Sequence, residues 1–67
     1  MYESELLDML NDNYELKLWP NDGRWEAILT CYGYEDKPAA EYHAIDNSPY
    51  VAVKMAMQKA GFEVPNV

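Results

Sequence analysis

The chain has 67 residues, of which 49% are apolar, with twelve acids against five bases for a formal charge of −7. That length holds one domain, spanning residues 1–67, and a domain so small buries only about 60% of the surface its unfolded chain exposes. The apolar content excludes a disordered chain, and the negative charge argues against direct binding to DNA, RNA or anionic lipid.

Residues 2–11 have the spacing of an amphipathic helix. Tyr2, Leu6 and Leu10 recur at i, i+4 and i+8 with Leu7 beside them, while Glu5, Asp8 and Asp12 fall at i, i+3 and i+7 on the opposite side. No Lys or Arg occurs in the first fifteen residues, so five acids, ending with Glu15, stand there without a counter-charge. Asn11, Asp12 and Asn13 then end the helix, because their side chains compete for backbone hydrogen bonds.

From Tyr14 to Trp19 the pattern alternates, with Tyr14, Leu16 and Leu18 on one side and Glu15, Lys17 and Trp19 on the other, the period of a half-buried strand. The run Pro20-Asn21-Asp22-Gly23 predicts a hairpin turn. A second strand follows from Arg24 to Tyr32, alternating Trp25, Ala27, Leu29 and Cys31 against Glu26, Ile28, Thr30 and Tyr32. Residues 33–38 form a loop and residues 41–45 a shorter strand, with Tyr42 and Ala44 on one face and Glu41 and His43 on the other. Ser48 caps a last helix that begins at Pro49, runs to about Ala60 and stops at Gly61. Its buried stripe is Ala52, Val53, Ala56, Met57 and Ala60, and Phe62 and Val64 fold back over the core.

The expected fold is therefore α+β: an α-β-β-β-α order, with a three-stranded antiparallel meander and two helices packed on one face. Double-stranded-RNA-binding domains share this order, but they need basic residues around the second helix, where only Lys54 and Lys59 are available. No apolar run approaches the roughly 20 residues of a membrane span, and the N-terminus carries acids where a signal peptide carries bases. A cytoplasmic protein is expected.

Catalytic options fail on residue count and geometry. Cys31 and His43 are the only thiol and imidazole, and strand alternation points them to opposite faces. One cysteine permits no intrachain disulfide, and one Cys with one His falls short of a structural zinc set. The acids do not recur at calcium-loop spacing, and the three glycines are isolated at turns. The expectation is a non-enzyme without cofactor or metal.

The residues that remain are candidates for binding a partner protein. Glu5, Asp8, Asp12 and Glu15 form an acidic face suited to a basic surface. Trp19, Ile28, Tyr32 and His43 put aromatic and aliphatic groups on the uncovered, otherwise charged face of the sheet, as interface hot spots do. Val51 and Met55, at i and i+4 away from the buried stripe of the last helix, offer a homodimer contact.

Trp25-Glu26-Ala27, the strand Ala40 to Ala44, Ser48-Pro49, Ala52-Val53, Ala56-Met57 and Lys59-Ala60-Gly61 resemble the small phage proteins grouped as the phage ABA sandwich domain, over roughly residues 14–61. The sheet-plus-helix unit is also similar to that of HicB-type antitoxins. The first resemblance implies a phage or mobile-element origin, hence the cytoplasm of a bacterial host, and no common enzymatic activity or site motif. Two functions are then expected. One is an inhibitor of host defence, of the anti-CRISPR or anti-restriction type, whose carboxylates imitate nucleic-acid phosphates to a basic host protein. The other is a structural or antitoxin-like accessory module acting through self-association and apolar contacts.

Overall fold

The computed structural model describes residue 10 and residues 12–64. The expected N-terminal helix, with Glu5 and Asp8, lies outside the described residues apart from Leu10, which packs against the core. The described chain runs β1 (Tyr14–Asn21), β2 (Arg24–Cys31), β3 (Ala40–Asp46) and α1 (Pro49–Lys59). It is an α+β unit: an antiparallel meander in the order β1-β2-β3 with one helix on one face.

The first hairpin is tighter than the four-residue turn expected from Pro20 to Gly23. Pairing continues through Pro20 opposite Trp25 and Asn21 opposite Arg24, leaving only Asp22 and Gly23 to reverse the chain. Both have left-handed backbones, with φ of 54° and 80°. Two such residues in succession match the twist of the flanking strands, and Asp-Gly is a preferred pair for that turn.

Pro20 can stay in the strand because of where its nitrogen points. The Tyr32 N–H donates to the Asn13 carbonyl at 2.9 Å, one step beyond the Tyr14–Cys31 pair. Antiparallel pairs alternate between those that exchange backbone hydrogen bonds and those that do not. Glu15, Lys17 and Trp19 therefore bond to β2, while Tyr14, Leu16, Leu18 and Pro20 aim their backbone groups outward. The missing N–H of Pro20 would have faced away from the sheet, where proline is tolerated.

Between β2 and β3 the chain makes a side loop closed by two backbone bonds. Tyr34 N–H donates to the Lys37 carbonyl at 3.1 Å, and Lys37 N–H to the Tyr34 carbonyl at 2.8 Å. Gly33 enters this loop with φ of 90°, and a Cβ there would stand 3.2 Å from the Ala39 nitrogen.

At the start of α1 the Ser48 hydroxyl accepts from Val51 N–H at 3.3 Å, and Asp46 Oδ2 accepts from Ser48 N–H at 2.9 Å. At its end Phe62 N–H bonds to the Met57 carbonyl and Gly61 N–H to the Gln58 carbonyl, each at 3.0 Å. That pairing is a Schellman motif, and it turns the following residues back onto the sheet. Val64 is buried, and the Phe62 ring meets Tyr14 edge-on at 5.2 Å.

The helix packs across β2 and β3. Ala27 and Ala44 on the strands and Ala52 and Ala56 on the helix are all buried, so the two backbones approach closely. Leu29, Met57 and Cys31 are the largest fully buried side chains and fill the space left between them. β1 lies beside this seam, and Leu18 on its inner face is 39% exposed.

Candidate functional site

Register and alternation determine what the sheet shows on the face away from α1. Glu15, Thr30 and Glu41 form one cross-strand row, Lys17, Ile28 and His43 the next, and Trp19, Glu26 and Ile45 the third. Tyr32 continues the same face beyond the end of β2. Trp19, Ile28, Tyr32 and His43 thus share one face, with Trp19 and Ile28 half-buried, His43 exposed and Tyr32 56% exposed. Ile45, 46% exposed, joins them. It was missed because the third strand was read in two pairs only, although one more step of alternation from His43 reaches it.

Charge is not spread evenly along this face. The end at which β1 begins and β2 finishes carries Glu15 and Glu41 on the face, Asp12 in the turn before β1, and Glu35 and Asp36 in the side loop, all exposed. Glu41 shares the face with Glu15 by alternation, whereas Glu35 and Asp36 were not singled out from sequence, because only the closed side loop holds them at this end of the sheet. Lys37 lies in the same loop, half-buried. Its ammonium is held above the usual lysine range by hydrogen bonding and charge interaction with the Tyr14 hydroxyl. Partial desolvation, and next the hydrogen-bonding carboxylate of Glu15, raise the Tyr32 hydroxyl above the usual tyrosine range. A shallow depression at this end is lined by Thr30, Tyr32, Ala40 and Glu41.

Tyr14 anchors this end to the core. Its ring meets Tyr34 at 6.0 Å as well as Phe62, and the Tyr14 and Tyr34 hydroxyls are 3.3 Å apart. Burial, followed by the hydrogen bond with Tyr34, raises its hydroxyl above the ordinary value of 10.0.

The other candidates are distributed differently. Cys31 is buried on the inner face and His43 exposed on the outer one, so the sheet separates them. Val51 and Met55 are both half-buried, and Met55 packs against the core. The apolar surface they leave open on α1 is accordingly smaller than helical spacing alone suggests. Among the described residues, no group of three or more His, Cys, Asp or Glu side chains is placed to hold a metal ion. No helix among them is long and apolar enough to cross a membrane.

Comparison of the chain with family models, with curated proteins and with solved structures returns no match.

Proposed function

We propose that the chain is a non-enzymatic binding protein that docks on a basic surface of a host protein through the acidic end of its open sheet face. The observation that carries this reading is the exposed Tyr32 beside Glu15, with Glu41 across Thr30 and the exposed Asp12, Glu35 and Asp36 in the turns at the same end of the sheet. An amphipathic aromatic surrounded by carboxylates suits a partner that presents Lys or Arg, since the ring supplies contact area and the acids steer the encounter. Glu5 and Asp8, outside the described residues, are included in this acidic surface on the sequence alone. The phage origin implied by the sequence resemblance motivates a bacterial host protein as partner, and the run of uncompensated carboxylates motivates nucleic-acid mimicry as the mode of inhibition.

The test is a pull-down from bacterial lysate at low and high salt with the wild-type chain, the Glu15→Lys/Glu41→Lys variant and Tyr32→Ala. Basic proteins retained at low salt, and lost both at high salt and with either variant, are expected. Capture that survives both variants would overturn the assignment.

Self-association, the accessory-module reading, is favoured by one observation, the exposure of Leu18 on the inner face of β1.

A further inference from the structure

The two edges of the sheet differ in what remains for another strand to pair with. On β3 the pairs of Ala40, Tyr42, Ala44 and Asp46 bond to β2, so Glu41, His43 and Ile45 point their backbone groups outward. The central outward carbonyl, that of His43, already accepts the Lys59 ammonium at 2.6 Å. A lysine drawn across an edge in this way obstructs strand addition. On β1, Pro20 offers only a carbonyl, while Tyr14, Leu16 and Leu18 point both an N–H and a carbonyl outward, and no described residue bonds to them. The side chains of the same three residues lie on the inner face, where Leu18 is exposed and Leu16 half-buried.

We propose that β1 is the interface with a second copy of this chain, the two β1 strands pairing antiparallel about a two-fold axis at Leu16. Strand chemistry selects this register among its neighbours. Outward residues must face outward residues, so the axis passes through a residue and shifts move it one residue at a time. An axis at Glu15 puts Glu15 opposite itself, and one at Lys17 puts Lys17 opposite itself, both repulsive. An axis at Leu18 sets Leu16 against Pro20, which has no N–H to give.

An axis at Leu16 avoids each of these mismatches. Tyr14 exchanges backbone bonds with Leu18 of the second copy, Leu16 with its counterpart, and Leu18 with Tyr14. Glu15 then faces Lys17 of the second copy on the open side, and Lys17 faces Glu15. These are non-hydrogen-bonded positions, where side chains come closest. Within one copy the same two groups meet only loosely, at 3.8 Å with both well exposed. The two-fold axis runs through the sheet, so the inner faces adjoin and Leu18 lies next to the Tyr14 position of the second copy. Such an isologous contact closes on itself and adds no further copies. It does not depend on the acidic-end reading.

Sedimentation of the full chain across a concentration series, with circular dichroism as the check on folding, tests the inference. The wild-type chain is expected to reach a dimer. Lys17→Glu places glutamates opposite one another and should weaken the dimer about tenfold or more, since two cross-strand pairs change sign. The exchange Glu15→Lys/Lys17→Glu restores opposite charges and should recover the wild-type constant. Leu16→Pro removes an outward N–H that the monomer does not use and should leave a folded monomer. Lys17 is exposed, so the charge variants test the idea even if the proline variant fails to fold. A chain monomeric at every concentration would overturn the proposal, as would a dimer indifferent to Lys17→Glu or lost instead in Val51→Ser/Met55→Ser.

Discussion

β3 and β1 border the same sheet, yet one is locked to the helix and the other is not. β3 lies under α1, shares its alanine seam and gives its central outward carbonyl to Lys59. β1 pairs fully with β2 but is secured to the core chiefly at one end, where Tyr14 meets Tyr34 and Phe62, while Leu18 at the other stays open. Backbone pairing alone, then, does not make two strands equal. The difference lies in what covers their inner faces and outer edges.

The largest effect that would break this contrast is on the locked side. Met57→Ala removes a fully buried side chain from the seam between α1 and the sheet, and should cost about 2–5 kcal/mol in chemical denaturation. A loss similar to that of a surface variant would mean that α1 is not the element holding β3.

The anchored end of β1 gives a smaller effect, with a pH signature. Tyr14→Phe strands the Tyr34 hydroxyl without its 3.3 Å partner and should cost about 1 kcal/mol near neutrality. The folded state raises the hydroxyl of Tyr14 above 10.0 and the ammonium of Lys37 above 10.5, favouring the protonated form of each. Their stabilisation is therefore complete below pH 10 and lost as pH rises through the elevated values. Denaturation midpoints should fall in the alkaline range, and less steeply in Tyr14→Phe. Equal slopes in the two proteins would remove Tyr14 from the account.

Smallest of all is the expected effect at the open end. Leu18→Ser, measured at concentrations too low for association, should change stability by no more than about 0.5 kcal/mol, as surface substitutions do. A loss close to that of Met57→Ala would show that Leu18 is covered, and the contrast between the edges would collapse.

Much of this fold is written locally. Alternation located all three strands within two residues of their ends, and Ser48-Pro49 and Gly61 bracketed α1 to within a residue. The hairpin was misjudged by its proline, because whether Pro20 ends a strand depends on which way its nitrogen faces, and that is a property of the register rather than of the residue. Ile45 was overlooked although the expected strand over residues 41–45 contained it, because its face was not followed past His43.

The site was less legible than the fold. Trp19, Ile28, Tyr32 and His43 share a face by simple alternation, as do Glu15 and Glu41, but Glu35 and Asp36 are held at the same end of the sheet only through the closure of the side loop after Gly33. Val51 and Met55 read as outward from helical spacing, which cannot show how far the core extends around a helix. The contact between Lys59 and His43 joins residues sixteen apart, and no local pattern announces it.

Cys31 has a practical consequence of a different kind. The sole thiol of the chain is 1% exposed and sits on β2 opposite Tyr14, at the junction of the anchored and the locked parts of the sheet. Its rate of reaction with a thiol reagent therefore reports opening of that junction, in the wild-type chain and in each variant, without a cysteine having to be engineered. The protein carries its own reporter for any opening of that junction.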